Sequence, residues 1–273
     1  MRLVHRANAC FSLFHNNKHI LFDPWMNGPA VAQGWTPYPQ AKSKIEDLPK
    51  PDLVYISHIH SDHCEDETLN GIDKDTPILI MDLAPNFLHK MLKAREFTNI
   101  ILMQAEKRIK IDVIDGLEAE PFGATFGHIC ANVIDSSVIF KFADKVILNC
   151  NDNKPSIELC NYIKNQYNKI DLAFIPSGGG SGYPAMYENL AASEKEEIVA
   201  NNIKNYFTIF SNAVDILKPK ISIPVAGGYA IRGPYAETVN WLQNRTLDHR
   251  NIIDFHKKNG KYKDAKIVPV QPN

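Results

Sequence analysis

The sequence predicts an α/β protein in which two sheets pack face to face with helices on their outer sides. Two observations carry the prediction. Apolar runs of strand length fall into two groups along the 273 residues, each followed by segments of helical pattern. The stretch richest in chemistry, Tyr55-Ile56-Ser57-His58-Ile59-His60-Ser61-Asp62-His63, directly follows the apolar run Leu53-Val54-Tyr55-Ile56, which places it on a loop at one edge of such a sandwich. With no repeat and no linker, residues 1–273 read as a single domain.

The first group opens with a hairpin, Cys10 to Phe14 and His19 to Phe22 around Asn16-Asn17. Asp23-Pro24-Trp25 ends its second strand, because proline has no N–H for a ladder. Met26 to Gln40 has no clear period and reads as a long ordered loop. A short helical segment at Lys42 to Leu48 precedes the strand Leu53 to Ile56. Acidic Glu65-Asp66-Glu67 then suits the first turn of a helix. Ile78 to Ile80 and Ile100 to Leu102 are strands around a helix at Pro85 to Arg95.

In the second group, Arg108 to Asp115, Leu117 to Phe122, Ser137 to Phe142 and Lys145 to Asn149 are consecutive strands. A helix at Pro155 to Asn165 and a buried strand at Ile170 to Ile175 follow. The glycine-rich Pro176 to Pro184 lacks the G-K-[ST] ending of a phosphate loop and reads as a wide loop over the sheet edge. Ser193 and Glu196 are spaced as a capping box for a long helix to Leu217. Ile221 to Val225 is the last strand, a helix covers Tyr235 to Gln243, and the basic tail after Asp248 is expected to be peripheral.

Composition narrows the function. A formal net charge of -1 argues against a broad nucleic-acid groove. No apolar segment is long enough to span a bilayer and Met1 to Arg6 begins no signal peptide, so a cytoplasmic location is expected. Five cysteines without a C-x-x-C pair point to reduced, buried thiols rather than a disulfide framework.

The spacing of the histidine stretch points to metal. In an extended segment His58, His60 and Asp62 share one side, and a turn at Ser61-Asp62 brings His63 round to join them. Imidazole and carboxylate donors suit zinc or a similar first-row divalent ion. Further donors must come from elsewhere in the chain. His128, in Gly127-His128, is one candidate. Asp152 is another, although its position before Pro155 also fits a helix cap.

His58-Ile59-His60-Ser61-Asp62-His63, with Asp-Pro-Trp after the hairpin, Gly127-His128, and Asp152 after a strand, resembles the metallo-β-lactamase superfamily. That resemblance implies a four-layer αββα sandwich with a metal pair at one edge. It assigns His58, His60 and His128 to one metal, Asp62 and His63 to the second, and Asp152 to both. Asp23 to Ala30, Gly34-Trp35, Ser181 to Pro184 and Pro224 to Tyr229 are similar to the metallo-β-lactamase-like part of the CMP-N-acetylneuraminate hydroxylase family. No cysteine and histidine spacing supplies that family's Rieske iron–sulfur domain. Ala226 to Pro234 contains no histidine to complete a second site, so the resemblance leaves one or two ions open. His249 and His256 are expected to be exposed.

The expected activity follows from metal chemistry. An ion held by neutral imidazoles lowers the pKa of bound water towards about 7 and supplies hydroxide near neutral pH. Asp62 serves as ligand or orients that water. The expected cofactor is zinc, one or two ions, with manganese or iron as alternatives. A small-molecule substrate carrying a phosphodiester or similar ester is expected. Trp25, Trp35, Tyr183 and Tyr229 are candidates to stack on it and Arg232 to fork onto its phosphate or carboxylate, with loop packing as the alternative for each. The competing reading is the substrate-binding component of an oxygenase whose Rieske-type electron-transfer partner is a separate chain.

Overall fold

The computed structural model describes residues 1–123, 134–142, 144–234, 236–237, 240 and 249–271. Two six-stranded sheets face one another. The first has the order β1-β2-β3-β5-β6-β7, with β1 (Arg2–Ala7), β2 (Cys10–His15), β3 (Lys18–Phe22), β5 (Leu53–Tyr55), β6 (Ile78–Met81) and β7 (Ile100–Met103). The second runs β13-β12-β11-β10-β9-β8, with β8 (Ile109–Lys110), β9 (Leu117–Gly123), β10 (Ser136–Phe142), β11 (Lys145–Asn149), β12 (Leu172–Pro176) and β13 (Ser222–Val225).

Each sheet is part antiparallel and part parallel, and helices make every parallel crossover except that from β3 to β5. Strands β1, β2 and β3 form an antiparallel meander, whereas β3, β5, β6 and β7 run parallel. Helix α1 (Asp66–Asn70) links β5 to β6 and α2 (Phe87–Ala94) links β6 to β7, while β3 reaches β5 through residues 23–52, which contain no α-helix. In the second sheet β8 to β11 are antiparallel, and α3 (Ile157–Gln166) and α4 (Ala192–Leu217) carry the chain to the parallel β12 and β13.

The strand alternation assigns residues to layers. Leu53 and Tyr55 of β5, Val138, Phe140 and Phe142 of β10 and Phe174 of β12 fill the space between the sheets. Their neighbours Val54 and Ile56 face Leu69, Leu88 and Leu92 of the first helical layer. Ile139, Ala173 and Ile175 face Leu159, Phe210 and Val214 of the second. This is the expected αββα sandwich.

Several elements differ from expectation for local reasons. Strand β1 was hidden because Arg2, His5 and Arg6 break its apolar pattern; pairing with β2 and a His5–Phe11 ring stack, centroids 4.7 Å apart, hold it. The loop Met26 to Gln40 contains a short strand, β4 (Trp35–Pro37), paired antiparallel with β14 (Tyr229–Ile231). Lys42 to Leu48 reduces to a 3-10 turn at Ile45–Asp47, and the strand expected over Arg108 to Asp115 to Ile109–Lys110.

The capping box falls two residues earlier than Ser193 and Glu196: Glu194 Oε2 accepts from the Ala191 amide at 2.8 Å. The tail forms α5 (His249–Asn259) and is not peripheral, because Ile252 joins the core beneath α4. His256 is buried rather than exposed, its ring nitrogens 2.8 Å from Ser211 Oγ and 3.0 Å from the Tyr262 carbonyl. Most of the helix expected at 235–243 lies outside the described residues. Cys10, Cys64, Cys150 and Cys160 are free and buried. No described helix is long and apolar enough to cross a membrane.

Candidate metal centre

The parallel strands set the position of the site. Asp23 follows β3, Ser57 and His58 follow β5, and Asn151 and Asp152 follow β11. All emerge at carboxyl ends of parallel strands, where open α/β sheets place their ligands. Ser136, at the start of the antiparallel β10, reaches the same edge and ties the two sheets together. Its hydroxyl donates to the Ser57 carbonyl at 2.6 Å, and its carbonyl accepts from Asn151 Nδ2 at 2.6 Å.

The histidine stretch does not stay extended. Strand β5 stops at Tyr55, and the His63 amide closes a turn onto the His60 carbonyl at 2.9 Å. This turn brings three rings together: the His58 centroid lies 4.6 Å from that of His60 and 4.1 Å from that of His63. Two donor groups result, His58 with His63 and Asp152, and His58 with His60 and Asp135, each with its ligand atoms within 4.8 Å of one another. Asp62 borders the first group, its Oδ2 3.7 Å from His63 Nε2.

The polar satisfaction of these atoms is incomplete in a way that fits a cation. His63 Nε2, Asp152 Oδ1 and Asp135 Oδ1 are buried and make no hydrogen bond, although His63 Nε2 and Asp152 Oδ1 are 3.3 Å apart. Buried polar atoms are rarely left without partners. Nitrogen and carboxylate oxygen converging in this way match the donor preference of zinc, manganese or iron.

Electrostatics give the same picture. Burial, helped by His63, holds His58 well below the ordinary imidazole range, which favours the neutral ring that a metal ligand requires. Burial also disfavours a charged His63, but Asp152, Asp62 and Asp23 outweigh it and raise its proton affinity well above the usual value. Burial raises Asp62 and Asp135. It pushes Asp152 the same way, but His63, with His58 and Lys154, outweighs it and holds that carboxyl well below the normal range. A proton on His63 occupies the electrostatic place that a metal cation would take.

Asp23 supports the ligands from behind. It is fully buried, its Oδ1 accepts from the Ser57 amide at 2.8 Å, and its Oδ2 lies 3.3 Å from His63 Nδ1. Its φ of +41° is in the left-handed region, a conformation non-glycine residues adopt at a cost and one concentrated at functional sites. Ser57 Oγ lies 2.9 Å from His58 Nδ1 and fixes that ring in turn.

The expected substrate residues separate. Trp25 is fully buried, its indole N–H donating to the Gly28 carbonyl at 2.9 Å, and it offers no ring face to a ligand. Tyr229 is also buried, covered by Trp35 at a centroid distance of 3.9 Å and 10° between planes. A Cβ at Gly180 would lie 2.7 Å from the Trp35 ring, so the glycine loop is shaped by this stack. Tyr183 is 44% exposed, and Arg232 lines a cavity formed by the 26–47 segment. His128 lies outside the described residues. Asp152 is not a helix cap, since Ser156 caps α3.

Asp135 and Asp23 as parts of this centre were not found from the sequence, and neither were Lys154 and Tyr206. Lys154 Nζ sits over the Tyr206 ring, 5.1 Å from its centroid, and its charge acts on both Asp152 and Asp135. A Cβ at Gly179 would collide with Tyr206 Oη, so the hydroxyl's place depends on that glycine. Cys64 points away, its thiol against the Ile59 and His60 carbonyls and its pKa pushed up to about 12 by burial.

Comparison with known proteins agrees with this fold. A family model described as "Beta-lactamase superfamily domain" matches residues 3–226. The chain is 27% identical over 279 residues to cytidine monophosphate-N-acetylneuraminic acid hydroxylase of Cricetulus griseus, covering 95% of this chain and 45% of that protein. It is 26% identical over 276 residues to the inactive human form, covering 95% and 51%. The chain thus spans about half the length of the curated relatives it matches. Among solved structures, Igni18, a metallo hydrolase of Ignicoccus hospitalis, superposes with TM-score 0.65 at 18% identity over 99% of this chain and 95% of the other. CmlA, a diiron β-hydroxylase of Streptomyces venezuelae, gives 0.62 at 17% over 98% and 52%.

Proposed function

Because this chain belongs to the metallo-β-lactamase superfamily, we propose that it is a metal-dependent hydrolase of a phosphodiester or similar ester in a small metabolite such as a nucleotide sugar. The observation that carries the proposal is the pair of buried, unbonded atoms His63 Nε2 and Asp152 Oδ1, with His58 completing the donor group. His60 and Asp135 form the adjoining group, and His128 is a further ligand by resemblance. Zinc is the proposed ion, one or two per chain, with manganese or iron as alternatives. When bound, such an ion supplies Lewis acidity and an activated water.

The chain's own residues do the rest. Asp62, buried beside His63 and with its proton affinity raised by burial, is placed to orient a water and hold its proton. Asp23 and Ser57 fix the His63 and His58 rings. Lys154 supplies the positive charge that an anionic substrate needs beside so many carboxylates. Tyr183 is exposed near the glycine loop and can contact the substrate. We place the protein in the cytoplasm, as one unit over residues 1–273.

The test is turnover of bis-p-nitrophenyl phosphate and a panel of nucleotide sugars by protein loaded with zinc, manganese or iron. Hydrolysis abolished by His60→Ala supports the reading; silence across panel and metals refutes it. The identity to CMP-N-acetylneuraminate hydroxylases over 95% of this chain favours a second reading, the substrate-binding component of an oxygenase with a separate Rieske partner. Binding of CMP-sialate without hydrolysis would support that one.

A further inference from the structure

A cavity of about 710 Å³ lies away from the histidine cluster, and three segments distant in sequence build it: 26–29, 36–47 and Arg232. Its size is that of a small-molecule site. Lys42, Lys44 and Arg232 line it against one carboxylate, Asp47. Among the described residues these three cations make no ion pair. Asp47 is partly engaged, its Oδ2 accepting from the Lys44 amide at 2.9 Å. The wall also contains Ser43, whose hydroxyl has no hydrogen-bond partner.

The walls are cross-linked before any ligand arrives. Asn27 Oδ1 accepts from the Ile45 amide at 2.9 Å, while its Nδ2 donates to Glu46 at 2.9 and 3.1 Å. The amides of Met26 and Asn27 donate to Thr68 Oγ1 at 2.9 and 3.0 Å, and that of Gly28 to Glu65 Oε2 at 3.1 Å. Arg232 is delivered from the other side by the pairing of β14 with β4. The lining side chains carry an excess of two positive charges, while the neighbouring Glu46 and Glu65 are hydrogen-bonded to Asn27 and to the Gly28 amide, and such a preformed concavity is suited to oxyanions.

We propose that this cavity is a second, metal-independent binding site for a phosphate-bearing small metabolite, with Arg232 forking onto the phosphate and Lys42 and Lys44 neutralising it. Its wall is continuous with the metal loop: the Val31 amide, two residues past Pro29, donates to Ser61 Oγ at 2.7 Å, and Ser61 adjoins Asp62. Occupancy of the cavity therefore bears on the loop that carries His60 and Asp62.

The test is calorimetric titration of CMP and of inorganic phosphate into chelator-treated full-length protein. CMP is expected to bind. The combined Arg232→Gln, Lys42→Gln and Lys44→Gln variant is expected to weaken it at least about tenfold, in line with the loss of charge-assisted contacts. Asp47→Asn is expected to bind more tightly, a gain that misfolding does not produce. Phosphate binding as well as CMP identifies the shared oxyanion as the recognised group, and CMP alone a nucleotide. Absence of binding without metal, or equal binding by the combined variant, overturns the proposal. Neither result depends on hydrolysis, so failure here is separable from failure of the hydrolase reading.

Discussion

His63 Nε2 faces Asp152 Oδ1 at 3.3 Å, and among the described residues neither atom has a hydrogen-bond partner. A buried imidazole and carboxylate this close, left unbonded, are better satisfied by a cation coordinated to both than by each other. Protein dialysed against zinc should therefore retain metal by elemental analysis. His63→Ala and Asp152→Ala should each lose it at the first group, with far-ultraviolet circular dichroism unchanged. Retention of the full wild-type amount by both variants would remove this pair from the centre.

Metal removal should also be read in stability. Asp23, Asp62, Asp135 and Asp152 crowd one edge, with His63 and Lys154 as the balancing charges, and a bound divalent ion relieves the remaining repulsion. An ion at 100 times its dissociation constant stabilises by about 2.7 kcal/mol if it binds only the folded state. The melting temperature should rise on titration with zinc and fall on chelation. A flat profile would contradict the geometry.

Asp23 should behave as a positioning residue. Asp23→Asn keeps an oxygen for the Ser57 amide but removes the charge facing His63 Nδ1. Replacing such an outer carboxylate typically lowers metal affinity by about 10–100-fold. A competition assay with a chromogenic chelator measures this directly, and a purely structural Asp23 would lower the melting temperature without altering the chelator midpoint.

A pH effect is expected away from the metal. Burial lowers the proton affinity of His19, whose ring nitrogens lie 2.9 Å from the Pro49 carbonyl and 3.0 Å from Ser12 Oγ. Its folded pKa is depressed, so the unfolded chain binds the proton more readily. The contribution is fully present above about pH 6.5, the unperturbed value, and is lost as pH falls from there towards the folded value. Denaturation midpoints of wild type and His19→Gln, followed from pH 8 to pH 5, should differ most at the top of that range and converge below. A constant difference would sink the idea.

The fold was legible because its pattern is local. Runs such as Leu53 to Ile56 and Lys145 to Asn149 are contiguous, and the alternation that divides Leu53 and Tyr55 from Val54 and Ile56 is written in consecutive residues. His58 to His63 was legible for the same reason. Asp135 and Tyr206 were not, because neither has a neighbour in sequence that hints at chemistry; they enter through tertiary contact with His58 and Gly179. The β4–β14 pair joins residues almost 200 positions apart, and three-residue strands have no readable period. Trp25 is the reverse case: an aromatic in a loop is chemically able to stack on a ligand, but here the loop folds over it.

That burial gives the last prediction. Trp25 belongs to a small cluster with Ala30, Ala185, Tyr229 and Ile231, beside the Trp35–Tyr229 stack. Truncating a fully buried large aromatic leaves a cavity and usually costs about 3–5 kcal/mol. Trp25→Ala should lose that much in chemical denaturation, together with the loop that walls the oxyanion cavity. Trp35 is only partly buried, so Trp35→Ala should cost less while uncovering the Tyr229 ring. If Trp25 instead contacts substrate, Trp25→Ala will raise KM with the denaturation midpoint unchanged. The hydrogen bond from its indole to the Gly28 carbonyl argues for the first outcome, because Trp25→Phe, which keeps most of the volume, would still leave that buried carbonyl without its donor.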